Sequence, residues 1–136
     1  MTTMELFQKS GKVKKRIGDI LLALGILPHL DGYEYLMVGI NYCVEQPGLA
    51  RKLTKGLYPL IGKCFGKTIS QVERGIRHAI DSGWSRDKFS KLNEIFRVQA
   101  VDKRVKPKSG ELIALLADRL LFELAEQAER DSQNKE

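Results

Sequence analysis

The sequence predicts an all-α fold: a compact bundle of about six helices containing a helix-turn-helix. Two observations predict it. No stretch alternates apolar and polar residues over the length a strand needs, whereas apolar residues recur at three- and four-residue spacing along almost the whole chain. Stop and start signals at Gly25 with Pro28, at Gln46-Pro47-Gly48, at Gly66-Lys67 and at Ser109-Gly110 cut that pattern into helix-sized pieces. With 136 residues, 43% of them hydrophobic and 29% charged, the chain suffices for one core and is too apolar to be disordered. No apolar run approaches the ~18 residues of a membrane span, and the segment after Met1 has no signal-peptide core. A cytoplasmic protein with no membrane partner is therefore expected.

Residues 1–12 read as a flexible N-terminal arm, and residues 13–125 as the folded domain. The first helix puts Val13, Ile17, Ile20, Leu21 and Leu24 on one stripe and stops at Gly25. A second, over residues 33–44, carries Tyr35, Leu36, Val38, Gly39, Ile40 and Cys43, with Cys43 as a small core residue. Residues 49–57 lead into Tyr58-Pro59. Proline cannot donate to the preceding turn but suits the first position of a new helix, so a kink or break is expected there.

Residues 59–65 form a short helix that buries Leu60 and Ile61 with Cys64 or Phe65, and Gly66-Lys67 closes it. The next six residues, Thr68-Ile69-Ser70-Gln71-Val72-Glu73, offer two overlapping capping boxes, Thr68 with Gln71 or Ser70 with Glu73. Either starts a helix that runs to about Trp84. A short helix, a tight turn containing glycine and a longer second helix make the layout of a helix-turn-helix. In the second helix Val72, Ile76, Ala79, Ile80 and Gly83 share one face, and Gln71, Arg74, Arg77, His78 and Asp81 the other. That is how a recognition helix is arranged: an α-helix fits the major groove, arginine bonds bidentately to guanine, and glutamine to adenine. Gly75 lies beside the buried stripe, which suggests a close helix approach against the 59–65 helix. Trp84 reads as a core anchor.

Residues 88–96 predict a further helix burying Phe89, Leu92, Ile95 and Phe96. The irregular stretch 97–108 is rich in base, with Lys103, Arg104, Lys106 and Lys108 among the candidates for phosphate contact. The last helix, capped near Ser109, presents Leu112, Ile113, Leu116, Ala117, Leu120, Leu121 and Leu124, then fades into an acidic, frayed tail over residues 126–136.

Charge is divided along the chain. Before Gly110 stand 20 basic and 10 acidic residues, an excess of +10; after it stand 3 basic and 7 acidic, an excess of −4, together the overall +6. A basic body of this size suits a polyanionic partner, because lysine and arginine near phosphates displace condensed counterions. Catalysis is poorly supplied. Cys43 and Cys64 stand apart with no CxxC spacing, and His29 and His78 make no ligand pair with them, so neither a metal site nor a disulfide is expected. There is no nucleophile–base pair and no phosphate-cradling glycine loop, so the chain reads as a non-enzyme without a cofactor.

The string Val72-Glu73-Arg74-Gly75-Ile76-Arg77-His78-Ala79-Ile80 with Trp84-Ser85-Arg86 closely resembles the C-terminal DNA-binding effector domain of the sporulation stage-zero protein A family of response regulators. The likeness extends through Ile26-Leu27-Pro28-His29-Leu30-Asp31-Gly32-Tyr33-Glu34-Tyr35-Leu36, Leu57-Tyr58-Pro59, Lys106-Pro107 and Ile113-Ala114-Leu115-Leu116-Ala117-Asp118, covering about residues 13–124. The resemblance implies a helix over residues 69–84 that enters the major groove of double-stranded DNA at a short box. Such boxes are commonly repeated in tandem, so that two domains sit side by side and self-associate there. Carried over position by position, base-reading and phosphate-holding roles fall on Gln71, Glu73, Arg74, Arg77 and His78. Lys67 and Ser70, at the turn before them, are further candidates for DNA-backbone contact. The surface around residues 88–96 matches the part of the family domain that approaches the RNA polymerase sigma factor.

Two departures stand out: Gln71 occupies a position that is usually arginine in the family, and Gly75 one that is usually alanine. The family's phosphoacceptor receiver domain is also absent from these residues, since twelve precede Val13. That implies either an excised effector domain or a single-domain relative. Competing structural roles exist for several residues. Glu73 is placed to cap a backbone N–H or to accept from cytosine N4, and His29, in the turn after Pro28, reads as a structural histidine. The function expected is a sequence-specific DNA-binding transcriptional regulator of sporulation. The alternative is a protein-interaction module or antagonist acting on a full-length regulator or RNA polymerase through the leucine face of the last helix.

Overall fold

The computed structural model describes residues 11–134. All regular structure among them is helical: α1 (Gly11–Ala23), α2 (Asp31–Glu45), a 3-10 turn (Pro47–Arg51), a π-helical turn (Leu53–Leu57), α3 (Tyr58–Phe65), α4 (Ile69–Trp84), α5 (Lys91–Phe96) and α6 (Ser109–Gln133). Residues 1–10 of the expected arm lie outside the described residues, and Gly11 and Lys12 already belong to α1.

The hub is α2, which packs against α1, α4 and α6. Its helical period puts Leu36, Ile40 and Cys43 completely out of solvent, and the same core holds Ile17, Ile20 and Leu21 of α1, Ile61 of α3, Val72 and Ile76 of α4, and Leu112, Ile113 and Leu116 of α6. Each such side chain contributes about 1.5–3 kcal/mol by leaving water. The leucine stripe of α6, considered above as a contact surface for a partner, is thus spent on the domain's own core as far as Leu120.

Three boundaries differ from the sequence expectation. The chain breaks at Lys52, not at Tyr58-Pro59: a π turn from Leu53 runs directly into α3, with Leu57 N–H bonded to Lys52 O at 2.9 Å. Proline in a continuing α-helix clashes with the carbonyl four residues back, and bonds reaching five residues back open the turn that would otherwise clash. Residues 88–90 form a turn rather than the start of α5, although Phe89 is still fully buried and meets Trp84 edge-on at 5.5 Å. Trp84 itself is only half-buried, and so are Ile95 and Phe96. Finally, α6 continues through Gln133, so residues 126–133 are helical; beyond Leu121 it stays tied to α1 through Glu123, which accepts from the Arg16 guanidinium at 2.9 and 3.1 Å, while Phe122 and Leu124 are exposed.

The turn between α3 and α4 is set by Gly66, whose φ of 64° and ψ of 41° are left-handed and cost a glycine nothing. The close approach at Gly75 is made to the start of α2, not to α3 as expected. A Cβ on Gly75 would lie 2.7 Å from Tyr35 Cε2, and one on Gly32 would lie 2.1 Å from Gly75 O. Two glycines on facing helices let the backbones of α2 and α4 nearly touch. That contact fixes how far α4 stands proud of the bundle.

Candidate nucleic-acid interface

Of the two capping boxes the sequence allows, the structure uses the first. Thr68 Oγ1 accepts from the Gln71 N–H at 3.1 Å, and Gln71 Oε1 accepts from the Thr68 N–H at 2.9 Å. The choice propagates along the helix. Ser70 makes no capping bond, so Glu73 is not used as a cap; its Oε1 instead accepts from the Arg77 guanidinium one turn on. Arg74 is left exposed, with no hydrogen bond or ion pair to any described residue.

Behind this face Val72, Ile76 and Ala79 are sealed completely, and Ile80 nearly so. The outer face divides into two edges. On one, Gln71, Arg74 and His78 line an open groove of about 560 Å³ together with His29, the start of α2 and Lys67. Coulomb attraction for an anion is concentrated here, because Arg74 and Lys67 are both exposed and unpaired. His29 is exposed in this groove with no hydrogen bond to a described residue, which corrects its reading as a structural histidine. It lies 45 residues from Arg74 in the chain, so only the docking of α2 on α4 brings them together.

The other edge is internally neutralised. Besides the Glu73–Arg77 pair, Asp81 Oδ1 receives Lys106 Nζ at 2.5 Å, tying the 97–108 segment to the second half of α4. Beneath it Tyr58 is buried, and that burial pushes its hydroxyl above the ordinary tyrosine range, with Glu73 adding to the effect while Ser109 and Arg77 oppose it. Arg77, Ile80, Asp81 and residues 106–109 form a smaller cleft of about 250 Å³.

The irregular segment is more ordered than its composition suggests. Asn93 of α5 clamps it: its Oδ1 accepts from the N–H groups of Ala100 and Val101 at 2.7 and 2.9 Å, and its Nδ2 donates to Val101 O at 2.9 Å. Among the cations proposed for phosphate contact, Arg104 is held by Asp102, whose carboxyl it pulls below the usual range, and Lys106 is held by Asp81. Lys103 and Lys108 keep free, exposed ammonium groups, as does Lys67, and Ser70 is exposed at the turn. The structure therefore gathers Lys67, Gln71, Arg74 and His78 at one groove, puts Glu73 and Arg77 on the next edge, and leaves Lys103 and Arg104 on the loop beyond.

A family model described as "Sporulation initiation factor Spo0A C terminal" matches residues 17–120. The chain belongs to this family. It is accordingly a DNA-binding domain of transcription regulation in sporulation. The match begins within α1 and ends at Leu120, the last buried residue of α6, so the Spo0A C-terminal unit coincides with the packed bundle and includes the whole groove. Among the described residues no cluster of three or more His, Cys, Asp or Glu side chains is placed to hold a metal ion, and no helix is long and apolar enough to cross a membrane.

Proposed function

We propose that this chain reads a specific double-stranded DNA box by inserting the N-terminal half of α4 into the major groove. The observation that carries this reading is the pairing of a completely buried reverse face with an exposed, unpaired Arg74 flanked by Gln71 and His78. A side chain that must find a base edge to within a hydrogen bond has to stand on a rigid support, and the glycine contact between α2 and α4 supplies it. Arg74 offers a bidentate fork to guanine O6 and N7, while Lys67, Ser70, Lys103 and Lys108 meet phosphates and set the register of the domain. Lys106 and Arg104 join them only by leaving their carboxylates.

Tandem boxes would place two copies side by side, and the exposed surface around residues 88–96 would face RNA polymerase sigma factor. Both features rest on the family resemblance. The output is transcriptional regulation without catalysis.

The test is a titration of the full chain against a duplex recovered by selection from a randomised pool and against its scrambled counterpart, each at two salt concentrations. A specific reader binds the selected duplex ~10³-fold or more tightly than the scrambled one, with affinity for both falling as salt rises. Equal affinity for the two would end the proposal.

A further inference from the structure

The capping bond of Gln71 bears on which base this residue selects. A glutamine reads adenine by offering its oxygen to the N6 amino group and its NH2 to N7. In α4 that oxygen already accepts one bond, from the helix start, and this fixes where it points. The donor at Thr68 is a peptide N–H, which only an oxygen can meet, so the amide orientation is fixed by chemistry: Oε1 faces the Thr68 N–H at 2.9 Å and Nε2 is the atom left over. Nε2 has no partner among the described residues, and the residue is exposed on the groove beside Arg74 and His78. The reciprocal bond from Gln71 N–H to Thr68 Oγ1 holds the same side chain against the first turn.

We infer that Gln71 is a donor-only specificity residue that selects guanine and discriminates against adenine. The inference rests on α4 being the helix that enters the major groove. An NH2 group with no acceptor beside it matches guanine, which presents N7 and O6 as two adjacent acceptors. It is mismatched to adenine, where N6 presents another donor at the O6 position. Swinging the amide round to take adenine would break the capping bond and expose the Thr68 N–H at the helix start. The cap therefore acts as a filter: it keeps Gln71 in the rotamer in which only its hydrogens face the base. Arg74, one turn on along the same edge, reads its own guanine independently.

Three proteins and one duplex pool, randomised over a turn of DNA, test this. Wild type, Gln71→Glu and Gln71→Arg are each used to select from the pool, and base preference is tabulated at every position. Gln71→Glu keeps an oxygen for the Thr68 N–H but removes the donor, so its thermal melt stays at the wild-type value. At one position its preference for guanine falls by about tenfold or more and moves toward cytosine, whose N4 is a donor. Gln71→Arg, a pure donor, keeps guanine at that position. Two outcomes overturn the inference while leaving α4 as the reading helix: wild type selecting adenine there with Gln71→Arg switching to guanine, or all three proteins recovering the same profile. A wild type that enriches no sequence overturns both this inference and the proposed function.

Discussion

Lys106 Nζ stands 2.5 Å from Asp81 Oδ1, joining the irregular 97–108 segment to the outer face of α4 across 25 residues of sequence. Both side chains are nearly half exposed, so the pair adds little to stability, under about 1 kcal/mol. Its consequence is electrostatic. Asp81 neutralises Lys106 and puts a negative charge two turns beyond Arg74; in the reading proposed above, that lysine would otherwise be available to phosphates. Asp81→Asn is expected to tighten binding to every duplex several-fold at low salt and to steepen the slope of log affinity against log salt by about one, as one further cation is released to the phosphates. Titration at a series of salt concentrations checks this. An unchanged slope would mean that Lys106 already reaches the backbone in the complex.

Arg74 and Arg77 differ in their freedom, and mutation should separate them. Arg74→Ala is expected to cost about 1–3 kcal/mol on the selected duplex and to relax preference at one base position, because an unpaired fork loses its whole contact. Arg77→Ala should cost less, since in the free protein its guanidinium is already bonded to Glu73, and binding a base requires giving up that bond. A double-mutant cycle over Glu73 and Arg77 measures the difference directly. Greater loss of specificity with Arg77→Ala than with Arg74→Ala would reassign the reading edge.

Much of this was legible in the sequence, for physical reasons that also mark where reading stops. The α4 stripe from Val72 to Gly83 is periodic and capped by local chemistry, so both its start and its end are fixed within the segment itself. What the sequence left open was which of two capping boxes forms. That single choice decides whether Glu73 caps the helix or pairs with Arg77, and where the oxygen of Gln71 points. The role of His29, the clamp by Asn93 and the Lys106–Asp81 pair depend on elements far apart in the chain, and no local pattern encodes them. The Gly75 approach was assigned to α3 because that helix is its neighbour in sequence; its true partner, Gly32, lies 43 residues away and carries its own signal only as a glycine in the first turn of α2. The family resemblance was carried by the string that makes up α4 together with further strings from Ile26 to Asp118, and the matched segment, residues 17–120, spans them all.

The contact between α2 and α4 predicts an order of destabilisation. Gly32→Ala would place a Cβ 2.1 Å from Gly75 O and 2.6 Å from the Ala79 methyl, where a backbone carbonyl cannot give way without moving a helix. A loss of about 1–3 kcal/mol or more is expected, together with weaker DNA binding as α4 shifts. Gly75→Ala crowds the Tyr35 ring, at 2.7 Å, and reaches the Gly32 backbone nitrogen only at an ordinary contact distance of 3.8 Å, and it regains about 0.5–1 kcal/mol of helix propensity. Tyr35 can yield by tilting against Phe65, whose ring centre lies 5.2 Å away. Urea unfolding of the two variants should therefore rank Gly32→Ala well below Gly75→Ala. The reverse order would show that the helices do not approach through Gly32.

The two cysteines should behave oppositely. Cys43 is fully buried in α2, and burial pushes its thiol up to about 11 from an ordinary value of 9.0, because the thiolate would lose its hydration. Cys64 is exposed on α3, its Sγ 3.6 Å from the Tyr42 hydroxyl. A thiol reagent at neutral pH should modify one cysteine in the folded protein and two after unfolding. The alkaline arm follows from linkage. Above pH 9 the unfolded chain releases the Cys43 proton while the folded chain keeps it, so the unfolded state binds fewer protons and stability falls as pH rises, by about 1.4 kcal/mol per unit, until the folded thiol ionises near 11. Below pH 9 this contribution is flat. Comparing urea midpoints of wild type and Cys43→Ala on either side of pH 9 isolates it, since the variant lacks the titrating group but keeps the other ionisations. Parallel pH profiles for the two proteins, or rapid labelling of Cys43 in the folded state, would show that the centre of α2 is open to water, and with it the support on which α4 stands.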